Sequence, residues 1–372
     1  MDFRPTMSFG LFHDGNIAVV GGAQGDEAAA LSFNLAWDRK TPTTTFAVSY
    51  RPTAVFYRES SDLNYFGNAL VVDFSKESSN ESRVKVGAYV ERTQYQGQTA
   101  ETAARAKTFV PRSTQFLAAV TVDGTVPAGR RGLVDWQVRT GLDRYTGVPV
   151  DPTTTAPAAV EFNDGNWAAG NAAWRKEVSA RNTLGFGVGV GYFGYETTPN
   201  VVVASLGVVG TSQTGPLWTL NYVLGASRAS SDSGSDDGFS FDVTMDYAAG
   251  RASTFRAGAR QSYSPGTGLG GATQDLGAWV SYASTRTSKG LFGSVLGGYW
   301  LRDSLQGVSA TTEGDTATLN VRGSLGWEFN RYISLEGAYA FVDQSGTNGA
   351  APGLDTTYSS YGVYLRWAIR GR

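Results

Sequence analysis

Strict two-residue alternation of apolar and polar side chains, returning about every twenty residues, is the feature that most narrows what this chain can fold into. From Gly238 to Tyr247, Phe239, Phe241, Val243, Met245 and Tyr247 alternate with Ser240, Asp242, Thr244 and Asp246. A period of two puts one set on each face of an extended strand. Val134, Trp136, Val138 and Leu142 alternate in the same way with Asp135, Gln137, Arg139 and Gly141. So do Leu319, Val321, Gly323, Leu325, Trp327 and Phe329 with Asn320, Arg322, Ser324, Gly326 and Glu328, and a shorter run holds Leu31, Phe33, Leu35 and Trp37.

Followed from end to end, the pattern predicts strands near 5–13, 27–38, 44–58, 65–77, 82–95, 107–122, 131–145, 164–177 and 182–195. The series continues near 200–210, 216–228, 238–249, 253–264, 271–286, 290–302, 315–329, 332–343 and 357–370. That makes about eighteen. Lys40-Thr41-Pro42, Ser78-Ser79-Asn80, Ser179-Ala180-Arg181, Gly250-Arg251-Ala252 and Thr287-Ser288-Lys289 read as tight turns, whereas 146–163 and 344–356 read as long connections. Strands of this length exceed the usual five or six residues but suit a tilted crossing of a roughly 30 Å hydrocarbon layer. Aromatics collect near strand ends at Trp37, Tyr50, Phe56, Tyr65, Tyr145, Trp174, Tyr192, Trp218, Trp327, Phe329 and Trp367, where two interfacial girdles would lie.

A soluble β-sandwich or propeller also produces alternation, but strand length and aromatic placement favour a membrane barrel. The expectation is an all-β transmembrane antiparallel up-and-down β-barrel of about 18 strands, one domain over residues 1–372, in the bacterial outer membrane. Short turns would be periplasmic and longer loops extracellular, and an even strand number would leave both termini periplasmic.

Composition removes other classes. No run approaches the 18 apolar residues of a membrane helix, since Val201 to Gly210 is broken by Ser205 and two glycines. A formal net charge of -2 offers no footprint for nucleic acid. Cysteine is absent, which removes thiolate catalysis and Cys-ligated metal and fits export through an oxidising compartment. The start, MDFRPTMSFG, has no charged segment leading into an apolar one, so a mature chain without its export signal is expected.

Phe3-Arg4-Pro5, His13-Asp14-Gly15-Asn16 and Ser49-Tyr50-Arg51-Pro52 leading to Phe56-Tyr57, followed by Asp62-Leu63-Asn64, resemble the β-barrel porin 2 family. The resemblance extends loosely over the whole length. It implies an outer-membrane barrel associated with exopolysaccharide export or exosortase-linked envelope systems. The end of the chain resembles a barrel-assembly signal through Ser360, Gly362, Leu365 and Trp367, with Ala368 to Arg372 continuing past the terminal aromatic. The implied partners are the lipid bilayer, lipopolysaccharide, the outer-membrane assembly machinery and polysaccharide or envelope export components.

The chemistry for an enzyme is thin. Hydrolytic barrels generally move a proton through histidine. This chain has one, His13, beside Asp14 and Asn16 near the first outer loop, with no nucleophile next to it. A surface histidine, no catalytic residues, no cofactor and no metal are therefore expected. Gly266-x-Gly268-x-x-Gly271 matches a dinucleotide fingerprint in spelling, but Ala272 to Tyr282 alternates as a strand rather than opening a helix. Asp232, Asp236 and Asp237 are placed in a Ser/Gly-rich outer loop and fail the EF-hand spacing. The sequon Asn80-Glu81-Ser82 falls in a periplasmic turn and has no meaning in a bacterium.

What remains is the lumen. The alternation assigns Arg51, Arg83, Lys85, Arg139, Arg256, Arg260, Arg322 and Arg366 to its lining, with Asp73, Glu77, Glu91, Asp135, Asp143, Asp242, Asp246 and Glu328. Mixed charge among hydroxyl and amide groups suits a hydroxyl-rich solute better than one selected ion. The same side chains could equally serve only to solvate the lumen and brace the wall. Two functions stay open: a passive channel with a polar lumen, serving secreted exopolysaccharide, or a structural or adhesive barrel with a blocked lumen. One register is specified closely. About the turn at Gly250, Asp246 should oppose Arg256 and Asp242 oppose Arg260, with Tyr247 against Phe255 and Val243 against Ala259 on the other face.

Overall fold

The computed structural model describes residues 2–15, 25–78, 82–95, 113–146, 164–196, 198–250, 252–265, 272–285, 287, 290–305, 315–347 and 355–368. They build strands β1 (Asp2–Asp14), β2 (Asp26–Lys40), β3 (Thr44–Tyr57), β4 (Tyr65–Glu77), β5 (Arg83–Tyr95), β6 (Ser113–Pro127), β7 (Gly132–Thr146), β8 (Gly165–Ser179) and β9 (Asn182–Tyr195). The second half supplies β10 (Val201–Ser212), β11 (Trp218–Ser231), β12 (Gly234–Ala248), β13 (Ser253–Pro265), β14 (Ala272–Ser284), β15 (Leu291–Ser304), β16 (Asp315–Glu328), β17 (Ile333–Thr347) and β18 (Thr356–Ala368). Each strand pairs antiparallel with the next, and β18 returns to β1 through pairs such as Phe9↔Leu365, so the 18-stranded sheet is closed. Closure pairs every strand on both sides along most of its length, the condition for a sheet to exist in hydrocarbon.

Side-chain parity divides the wall into two faces. Phe186, Leu206 and Leu325 are each more than 60% exposed on the outside, and Phe9, Leu11, Val188, Val280 and Trp367 share that face. A water-soluble protein would bury them. The opposite parity carries the charge, as the β12–β13 hairpin shows. Asp246 opposes Arg256, Asp242 opposes Arg260, Tyr247 opposes Phe255 and Val243 opposes Ala259, the register specified from sequence.

Several inner-face aromatics fold over glycines of the neighbouring strand: Trp300 over Gly277, Phe292 over Gly326 and Tyr364 over Gly10. A Cβ at Gly277 would overlap the Trp300 ring, so the glycine makes room for an indole that is only 4% exposed.

Three details depart from the sequence expectation. Strand β6 is Ser113–Pro127 rather than 107–122, because Thr121, Asp123 and Thr125 extend the inner-face alternation to a turn at 128–131. That turn is held by the Ala128 N–H donating to the Gly132 carbonyl at 2.8 Å, with Gly129 and Arg131 at positive φ. Residues 107–112 lie outside the described residues. Tyr65 and Tyr145 point inward, on the parity of Val55 and Gln115, and do not join a girdle. Asp236 and Asp237 belong to β12, since only Asp232 and Ser233 separate β11 from β12. The segment 266–271, with its three glycines, is outside the described residues.

One ladder is short. β12–β13 pairing stops at Phe241↔Gln261, leaving Gly234–Ser240 and Ser262–Pro265 beyond it.

Candidate functional site: the lumenal face

All twelve lining residues selected from sequence lie on the inward parity. Arg51 and Ala69 are opposed on β3 and β4, and Ala69 in turn opposes Glu91 of β5. Arg83 and Lys85 oppose Glu77 and Ser75, and Asp135 and Arg139 oppose Thr125 and Thr121. On the far side, Asp242, Asp246, Arg256 and Arg260 share the β12–β13 hairpin, while Arg322, Glu328 and Arg366 oppose Leu296, Ser334 and Ser334.

Being on one face does not make every opposed pair an ion pair. Arg256 donates through Nε to Asp246, whereas Arg260 donates to Ser262 at 2.9 Å, along its own strand and away from Asp242. Asp135 accepts from Thr125 at 2.8 Å and from Arg175 Nε at 2.6 Å. Arg366 reaches Glu336 at 3.3 Å, and the Arg139 guanidinium lies 5.9 Å from the centroid of the Trp167 ring. Most of these groups keep substantial exposure, so each pair contributes at most about 1 kcal/mol and chiefly fixes alignment.

Sequence reasoning missed a second set. Arg4 with Asp38, Asp123, Arg175, Asp275 with Arg302, and Glu336 all lie on the inner parity. The signal was present, because each shares the alternation of the residues that were selected. Arg302 and Asp275 differ in kind from the rest: their side chains are 3% and 8% exposed and 2.8 Å apart, with Ser264 and Thr273 also donating to the carboxylate.

The lumenal wall is uneven around its circumference. On β9 the inward positions Gly185, Gly187, Gly189 and Gly191 carry no side chain, and on β10 and β11 they carry Val203, Ser205, Gly207, Val223, Gly225 and Ser227. This arc is thin and uncharged. Across β3–β6 a cavity of about 960 Å³ is lined by Arg51, Tyr65, Asp73, Lys85, Tyr89 and Glu91, among others. Burial also changes along the strands. At the outer end inward side chains are covered: Asp14, Thr273 and Val342 are fully buried, and Gln344, Thr316 and Tyr358 nearly so.

The outer end contains the motif residues Asp14, Tyr57 and Asn64. Tyr57 donates to Asp14 at 3.0 Å, and its backbone N–H donates to Asn64 at 2.6 Å. Asp26 accepts the backbone N–H groups of Glu27 at 2.7 Å and Ser60 at 2.9 Å. His13 has the outward parity and stacks on Tyr361 at 5.1 Å, remote from the lumen. Among the described residues no three His, Asp or Glu side chains form a metal-binding group.

A closed 18-stranded antiparallel barrel, apolar outside and charged inside, is a transmembrane barrel of the bacterial outer membrane. Solved structures of that class are similar to it. The FrpB iron transporter from Neisseria meningitidis (F5-1 variant), in its apoprotein form, aligns with a TM-score of 0.53 at 7% identity over 97% of this chain and 66% of that one. This chain thus spans just under two thirds of that protein. A second structure of the same transporter gives 0.52 at 6% identity, over 99% and 69%. OccK1 (OpdK) from Pseudomonas aeruginosa gives 0.47 at 13% identity, over 99% and 98%. At such identities the likeness is one of fold. No protein-family model and no curated protein matches the chain, so the resemblance to the porin 2 family rests on its short motifs.

Proposed function

We propose that the barrel is a passive outer-membrane channel for hydroxyl-rich solutes, with secreted exopolysaccharide as the cargo its lining suits best. The observation that carries this is the composition of the inner face, where among the described residues cations and anions alternate with Thr, Tyr, Asn and Gln and no belt of one sign forms. Such a surface exchanges hydrogen bonds with a sugar chain without holding it at one charged point. The side-chain-free arc of β9 supplies width. No nucleotide motif occurs in the sequence, so the driving force comes from elsewhere. The lumen is given no catalytic role, since the one histidine faces outward.

The burial of inner-face residues at the outer end favours a second reading, a barrel that is blocked and acts through its loops. Planar-bilayer recording separates the two. A channel should show discrete conductance that neutral oligosaccharides block from one or both sides; a barrel that never conducts, even with its outer connections trimmed, would refute the first reading. Blockade by oligosaccharide but not by other neutral polymers of equal size would support the cargo. In the same proposal the C-terminal strand, with Leu365 and Trp367 outside and Ser360 and Gly362 inside, is the segment offered to the assembly machinery.

A further inference from the structure

Beyond Phe241↔Gln261 strands β12 and β13 part. By parity Tyr263 belongs to the lipid-facing side of β13 and Gln274 to that of β14, where they oppose each other. Instead, the ends of both side chains lie directly over Gly238, on the inner face of β12. The Tyr263 hydroxyl donates to Asp236 at 2.6 Å, and its ring is buried in a cluster with Phe193, Val201, Ala229 and Leu305. Phe193, Val201 and Ala229 are inward residues of β9, β10 and β11. The outer ends of β13 and β14 have therefore passed inside the wall and lie against the uncharged arc.

The sequence also provides a second position for the same segment. Continued at unchanged spacing, the β12–β13 register opposes Ser240 to Ser262, Phe239 to Tyr263 and Gly238 to Ser264. Tyr263 would then stand beside Phe239, which is 57% exposed, at about the height of the outer interface where tyrosine is favoured. Zipping would satisfy the backbone of β12 and remove Tyr263 from the mouth. Tucking gains the apolar cluster and the bond to Asp236. The buried pair Arg302–Asp275, joined by Ser264 and Thr273, ties the outer ends of β13 and β14 to β15, which stays paired with β16 as far as Arg302↔Thr316, so the segment would pivot about β15.

We propose that the outer ends of β13 and β14 are a gate: tucked inward and latched by Tyr263 on Asp236 they narrow the lumen, and zipped onto β12 they open it. This rests on the channel reading. The chain has no cysteine, so Gly238→Cys with Ser264→Cys supplies its only thiols. Val243→Cys with Ala259→Cys, within the formed ladder, is the control. Oxidation should cross-link both pairs, the test pair more slowly, and locking the test pair should raise conductance several-fold over that of the unmutated barrel; the reduced variant should fall between the two, because a Cβ at position 238 already crowds the Tyr263 hydroxyl. Tyr263→Phe and Asp236→Asn, without introduced thiols, should each lengthen open times. A control pair that cross-links while the test pair does not would overturn the gate. So would equal conductance of the cross-linked test barrel and the unmutated barrel, which leaves the channel itself standing. A cross-linked barrel that passes no current overturns the channel reading and the gate with it.

Discussion

Replacing Val243 with arginine tests the inside-out assignment where the geometry allows a magnitude. Val243 faces outward between Tyr222 and Ala259, four residues from Tyr247, whose ring stacks on Trp218 at 4.3 Å in the lower girdle. At about 3.3 Å per residue and a tilt of about 40°, it sits about 10 Å into an apolar band about 25 Å tall, near its centre. Its neighbours there include Ala257, Ala259 and Ala278, which line a shallow apolar groove and offer a guanidinium no polar partner. The cost should be about 2–4 kcal/mol, or about 30- to 700-fold in the folding equilibrium. Urea titration of folding into phospholipid vesicles, followed by tryptophan fluorescence, reads this directly, with Val243→Ala as baseline. Thr244→Arg places the same charge one residue away, on the lumenal side between Asp242 and Asp246, and should cost well under half as much. Equal losses in the two arginine variants would refute the assignment of faces on β12.

Arg139→Ala and Arg322→Ala should each alter conductance or ion preference while the barrel still assembles; unchanged currents in both would remove them from the conduction path. Arg302→Met should destabilise folding by about 3–5 kcal/mol, because it strands the Asp275 carboxylate, and adding Asp275→Leu should restore much of the loss in the same urea titration. Asp246→Asn should cost less than about 1 kcal/mol, its partner Arg256 being half exposed, and a larger loss would show that the pair does more than set register. Gly277→Val should cost about 1–3 kcal/mol by crowding Trp300, and should do less harm in a Trp300→Ala background.

Alternation made the barrel, its strand number and the register around Gly250 legible, because a period of two is a local property and each strand repeats it independently. Position along a strand was harder to read. Tyr65 and Tyr145 lie near strand ends, where a girdle is expected, yet the one-residue difference that turns an aromatic inward is settled by pairing with β3 and β6. Asp242 and Arg260 lie directly opposed as expected, but opposition fixes backbones only, and Arg260 found a nearer acceptor in Ser262. The inward turn of Tyr263 left no local trace. Its parity matches Phe255, and what draws it inside is a set of residues on β9, β10 and β11 far away in sequence. Cargo is the least legible of all, since a mixed-sign polar wall is compatible with many hydroxylated solutes.

Strand β1 hydrogen-bonds on one side to β2 and on the other to β18, so residues near 9 and near 365 are direct neighbours. During synthesis, therefore, the first strand to emerge waits for the last before both its edges are covered. A nonsense mutation late in the gene, removing the chain from Thr356 onward, would not produce a slightly smaller barrel. It would leave β17 and β1 each with a bare edge, a template for pairing with any other extended chain and without a stable place in lipid. Selection against truncation should accordingly be as severe over the last thirteen-residue strand as over the first.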